Sequence, residues 1–179
     1  MVNSKSKGNS FERVVSKRLS LWWSDYEHDD LFWRTQGSGS RWTVRNKAGI
    51  DTIGQSSDIA STNSASELFT DNFSIECKSY KDIQLWSLIE RKGQIVDWWN
   101  TLMTECCQQD KYPLLVCKQN YKEVLLFGNF YLRNILNKCS VSMRGCFNIN
   151  TSILYMYNFE EFLDCDIHKF RYYLEHGVQ

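Results

Sequence analysis

The chain has 179 residues and a mass of 21.2 kDa, which sets one domain or one domain with a modest extension. Twenty-one Lys and Arg stand against 21 Asp and Glu, so the formal net charge is zero. That balance excludes a protein that coats nucleic acid by charge alone, but not one with a local basic face. Aromatics at 15% and a single Pro argue against extended disorder. No apolar run approaches the roughly 18–20 residues that span a bilayer, and residues 1–9 are too polar for a signal peptide. The seven cysteines are odd in number and form no C-x-x-C pair. They fit neither a disulfide framework nor a thiolate zinc site, and point to a reduced, intracellular compartment.

In chain order, residues 1–9 read as a flexible tail. A helix is predicted from Ser10, with Phe11, Val14, Val15, Leu19 and Trp22 or Trp23 at helical spacing and Asn9-x-x-Glu12 as a capping box. Leu31 to Thr35 reads as a short strand, and the Gly/Ser-rich stretch Gln36 to Ser40 as a mobile loop. Asp58 to Ser61 starts a second strand, followed by a polar turn from Thr62 to Ser66. Asn72 to Lys78 is the clearest strand, with Phe73, Ile75 and Cys77 on one side and Ser74, Glu76 and Lys78 on the other.

Ile83 to about Gln109 reads as one long amphipathic helix, weakened at Gly93. Strands follow at Pro113 to Cys117 and Glu123 to Phe127, joined by a turn at Asn120 to Lys122. Beyond them come a short helix at Tyr131 to Asn137, a strand at Ser152 to Tyr157 and a last helix at Ile167 to Glu175, stopped by Gly177. The order implies an α/β fold with a central mixed β-sheet flanked by helices.

Glu76 and Lys78 leave one face of their strand together. A carboxylate there can hold a hard divalent cation, and the Lys can orient or deprotonate a water or stabilise developing negative charge. Asp58 lies eighteen residues upstream, room for a hairpin that sets two carboxylates side by side. The bland alternative is a solvated Glu-x-Lys ion pair of little energetic weight.

The pattern Asp58…Glu76-Cys77-Lys78 resembles the signature of the PD-(D/E)XK nuclease superfamily. Lys7-Gly8-x-x-Phe11-Glu12-Arg13 resembles the first helix of archaeal-type Holliday junction resolvases and related phage endonucleases. Phe32-Trp33-Arg34-x-x-Gly37-Ser38-Gly39 resembles their first strand and the Ser/Gly loop after it. The resemblance implies a restriction-endonuclease-like core over residues 10–128, with residues 129–179 as an extension packed on it. It implies Asp58, Glu76 and the Cys77 carbonyl as metal ligands, Glu12 completing the site, and Lys78 as the catalytic Lys. Lys7, Arg34, Ser38, Ser40 and Arg41 would touch DNA. Ser57 stands where the family carries Pro.

The implied activity is Mg²⁺-dependent hydrolysis of DNA phosphodiesters, with Mn²⁺ able to substitute. The implied enzyme is a cytoplasmic or nucleoid-associated homodimer acting on branched DNA and on no membrane. A restriction- or repair-type nuclease and a catalytically silent DNA-binding module with the same fold are the competing readings. The first fifty residues hold nine Lys/Arg against five acids, a local excess that would attract DNA. Glu12 could equally serve only its helix cap, and Gln94 and Lys118 only as solvated side chains. Trp98-Trp99 reads as core or dimer interface before it reads as a stacking platform.

Overall fold

The computed structural model describes residues 4–35, 57–149 and 152–178; of residues 4–7 and 9 it describes the backbone alone. A helix α1 (Ser4–Trp23) leads into a short strand β1 (Phe32–Arg34), which pairs antiparallel with β2 (Ile59–Ser61). Helix α2 (Ser64–Asn72) then feeds β3 (Phe73–Tyr80). A 3₁₀ helix (Leu85–Leu88) and helix α3 (Gln94–Gln109) return the chain to β4 (Tyr112–Gln119), parallel to β3. The remaining elements are β5 (Val124–Gly128), α4 (Phe130–Lys138), β6 (Gly145–Ile149), β7 (Ser152–Asn158), α5 (Phe159–Leu163) and α6 (Ile167–His176). The main sheet runs β3-β4-β5-β7-β6, with only the β3–β4 pair parallel.

Two buried clusters sandwich this sheet. On one face, Phe11, Val15, Leu19, Trp22 and Trp23 of α1 pack on Phe73, Ile75 and Cys77 of β3, with α4, α5 and α6 beside them. On the other, Ile95, Val96, Trp99, Leu102 and Cys106 of α3 pack on Leu115, Cys117 and Phe127. Aromatic contacts tie the chain ends together: Trp22 lies 4.6 Å from Phe162, tilted, and 5.0 Å from Phe170, edge-on. Strand β1 sits close to α1 because the helix presents a Ser there. The Ser20 hydroxyl accepts the Phe32 N–H at 2.9 Å.

The mixed α/β sandwich is the restriction-endonuclease-like fold that the sequence resemblance implies. Several local expectations are corrected. Helix α1 begins at Ser4 instead of Ser10, so Asn9 and Glu12 are interior helical residues and form no capping box. The polar stretch from Ser64 is helix α2, with Asn63 as its N-cap accepting the Ala65 N–H. The stretch 83–109 is two helices: Gly93 adopts φ +93, outside helical geometry, and separates the 3₁₀ turn from α3. Strand β6 and helix α5 had no counterpart in the sequence reading. Four of the seven cysteines are buried, Cys139 is half-buried, and Cys107 and Cys146 are exposed; all are reduced. Among the described residues no helix is long and apolar enough to cross a membrane.

Candidate active site

Strand β3 presents Glu76 and Lys78 on the face toward α3, where they pair with each other. Their side chains are 19% and 26% exposed. Asp58 reaches the same strand from its open edge, opposite β4. Its N–H donates to the Ile75 carbonyl at 2.8 Å, and its Oδ2 accepts the Cys77 N–H at 2.9 Å. The Asp58 carboxylate is therefore docked on the backbone between Glu76 and Lys78. On an extended strand the N–H and C=O of one residue leave by the same edge, so the Cys77 carbonyl points to the Asp58 side too. The predicted hairpin is not what joins the acids. Strand β2 pairs with β1, and helix α2 fills the eighteen-residue gap.

Ser57 does the work of alignment. Its Oγ accepts the Ile75 N–H at 2.9 Å and lies within hydrogen-bond distance of the Ile59 and Ile75 carbonyls. A Pro at this position could supply none of these bonds. Thr35, at the end of β1, donates its N–H to the Asp58 carbonyl at 2.9 Å. Ser57→Ala leaves the buried Ile75 N–H without its acceptor, a loss of about 1–3 kcal/mol. The expected result is a fall of roughly 2–4 °C in Tm for each kcal/mol, read by thermal denaturation. An unchanged Tm would remove Ser57 from this role.

Glu12 is carried to the site by α1. Arg34 Nε donates to its Oε2 at 3.0 Å, and both side chains are 15% exposed. Burial raises the Glu12 pKa and the Asp58 charge raises it further, against the opposing Arg34. Glu105 of α3, which the sequence reading missed, is half-buried and belongs to the same electrostatic group. Burial raises its pKa, with Lys78 opposing and Asp58 adding. Its signal in the sequence is slight: a lone acid beside the apolar Leu102 and Cys106 of the helix.

Burial pushes Glu76 up to about 8, with Asp58 as the next cause and Lys78 opposing. Burial also acts to lower the Lys78 pKa, but the Glu76 and Asp58 charges outweigh it and the net direction is up. The site thus concentrates acids that resist ionising together, beside a Lys that stays an ammonium.

A pH signature follows for the metal-free protein. Glu76, Glu12 and Glu105 all have folded pKa values above the unfolded one. Between the two values the folded state holds more protons than the unfolded state. Their contribution to stability is full below the unfolded value of 4.5 and is lost as pH rises toward about 8 at Glu76. Tm measured in EDTA is expected to fall across that window, and Glu76→Gln to flatten the slope. A Tm that rises through the window in wild type, or an equal slope in the variant, would contradict the electrostatics described.

Other candidates fall elsewhere. Gln94 is exposed at the start of α3. Lys118 lies over the Phe11 ring at 5.9 Å. Trp99 is core, whereas Trp98 packs at 4.9 Å on Tyr80. Ser38, Ser40, Arg41 and the Gln36 to Ser40 loop lie outside the described residues, as does the Lys7 side chain. Among the described residues no group of three His, Cys, Asp or Glu side chains stands ready as a metal cage.

A family model described as "Phage putative PDDEXK endonuclease" matches residues 3–171. The chain belongs to this family. The match runs from α1 into the first half of α6, so it includes the acids, Lys78 and the C-terminal strands of the sheet. Neither the curated proteins nor the solved structures yielded a match. The family sits in the PD-(D/E)XK nuclease superfamily, the one whose signature Asp58…Glu76-Cys77-Lys78 resembles.

Proposed function

We propose that this PDDEXK endonuclease cuts DNA by metal-dependent phosphodiester hydrolysis in the cleft of Asp58, Glu76 and Lys78. The observation that carries the reading is the Asp58 carboxylate seated on the β3 backbone between Glu76 and Lys78. Asp58, Glu76 and the Cys77 carbonyl would hold Mg²⁺ or Mn²⁺, with Glu12 as a further acid. The donors fit: all are hard oxygens, and two carboxylates leave the positions that Mg²⁺ fills with water and phosphate. The raised Glu76 pKa fits as well, since crowded buried acids favour a neutralising cation. When bound, the cation supplies Lewis-acid polarisation of the phosphoryl oxygen and a nucleophilic water.

The chain's own residues do the rest. Lys78, held as an ammonium by Glu76 and Asp58, supplies positive charge where the phosphorane develops negative charge. Ser57 and Thr35 fix Asp58 through the main chain. Arg34 holds Glu12 and so acts on the site from behind.

The finer reading is a homodimeric, structure-selective Holliday junction resolvase, because two symmetric nicks need two sites facing one junction. A synthetic four-way junction, a linear duplex and plasmid DNA, each with Mg²⁺ and with EDTA, test it alongside the mass in solution. Paired nicks in the junction by a dimer support the resolvase. Equal cleavage of the linear duplex by a monomer replaces it with a restriction- or repair-type nuclease. Binding without any cleavage leaves a silent DNA-binding module.

A further inference from the structure

We propose that the groove beyond the C-terminal ends of β3 and β4 is a stacking subsite for unpaired bases of single-stranded DNA. The inference rests on the endonuclease reading and names the substrate segment lying beside the scissile position. The groove has a volume of ≈ 960 Å³, and its lining includes Leu85, Trp86, Cys117, Gln119, Tyr121 and Leu125. It meets the strand pair that carries the candidate active site at one buried residue. Cys117 lines the groove and is also the register partner of Lys78 on the adjacent strand. Along β3, Glu76, Lys78 and Tyr80 share one face. Tyr80 is 43% exposed and packs on Trp98, which makes an aromatic step between the acids and the groove.

Two rings in the groove are not explained by folding. Trp86 is 82% exposed and Tyr121 is 102% exposed, so neither contributes a buried side chain to the core. Tyr121 also adopts φ +61 in the β4–β5 turn, a left-handed conformation that suits Gly or Asn and strains an aromatic residue. Flat π-faces accept any base, which suits an enzyme contacting a strand without reading its sequence.

The lining charges are near balance, Asp82, Glu90 and Glu123 against Lys92 and Lys122, and two further cations lie beside the groove in sequence. Two of the acids in the groove are engaged, Glu90 with Lys92 at 2.7 Å and Glu123 with the Asn158 amide at 2.9 Å. Lys122 lines the groove, and Lys81 and Arg91 flank it in sequence. All three are exposed, and none has an ion-pair partner among the described residues. Duplex DNA hides its base faces, so stacking here requires a strand that is unpaired or splayed.

The test uses the full chain in EDTA, where no strand is cut. Binding of a labelled oligothymidylate and of a blunt duplex is followed by anisotropy, with Trp fluorescence read in parallel. Wild type is expected to bind the single strand with quenching. Trp86→Ala and Tyr121→Gly are each expected to weaken that binding at least about fivefold and to affect the duplex less. Both side chains are exposed and Gly relieves the strained turn, so an unchanged Tm is expected and checks that neither variant merely unfolds. Unaltered affinity in both variants, equal losses on single strand and duplex, or no single-strand binding by wild type would each overturn the subsite. Failure of the endonuclease reading shows separately, as single-strand binding that depends on Trp86 and Tyr121 in a protein whose wild type cuts no DNA with Mg²⁺.

Discussion

Asp58→Asn and Glu76→Ala are each expected to lower Mg²⁺-dependent plasmid cleavage on the order of a thousandfold while DNA binding survives. The size follows from losing a cation that contributes several kcal/mol of transition-state charge stabilisation. The two changes differ in what else they disturb. Asn at position 58 keeps an oxygen that can accept the Cys77 N–H, so β3 stays docked. Asp58→Ala would orphan that N–H and confound catalysis with a stability loss of about 1–3 kcal/mol. At position 76 the metal-free protein gains from the loss of a crowded acid, because burial and Asp58 already disfavour its charge. A Glu76→Ala protein that is as stable as wild type or more so, yet inactive, is therefore the expected outcome. Near-normal cleavage by either variant would remove these acids from the site.

Lys78→Ala is expected to lower the cleavage rate roughly 10²–10³-fold, the scale of losing one preorganised group aimed at developing charge. Its Tm should change little, since Lys78 faces the cleft and pairs with Glu76 instead of filling the core. Lys78→Arg should recover little of the loss. A guanidinium keeps the charge but is planar and broad where a compact ammonium fits, and it cannot give up a proton if the reaction calls for one. Cleavage measured under single-turnover conditions, with a gel-shift assay for binding, separates the effects. Full activity in Lys78→Ala would contradict the assignment, and full rescue by Arg would reduce its role to charge alone.

Strand β3 was legible because alternation is a local signal. Phe73, Ile75 and Cys77 face one core while Ser74, Glu76 and Lys78 face the other side. Helix α1 was legible for the same reason at period 3.6, although its start was not, because Lys and Ser continue a helix without marking its end. Helix α2 was hidden: its buried residues are Ser66, Phe69 and Thr70, so two of the three are polar and no apolar stripe appears. The break at Gly93 looked like a weakness inside one helix, and only its positive φ makes it a boundary.

The site was legible in its acids and not in its geometry. Residue types and order pointed to Asp58, Glu76 and Lys78, but a hairpin was the simplest route between them and the chain takes another. What aligns Asp58 is a hydroxyl and several main-chain groups, Ser57 Oγ and the Thr35 and Cys77 N–H. Such partners leave no residue-type pattern to read. Glu105 was hidden because only tertiary packing of α3 on β3 gives it charged neighbours.

The most direct measurement is the conversion of supercoiled plasmid by the purified wild-type protein across a titration of Mg²⁺ into EDTA-treated enzyme, run beside Asp58→Asn. The account predicts intact plasmid in EDTA, nicked and linear products that appear as Mg²⁺ is added, and no such products from the variant. Intact plasmid at every Mg²⁺ and Mn²⁺ concentration, or cleavage that persists in EDTA and in Asp58→Asn, would contradict it.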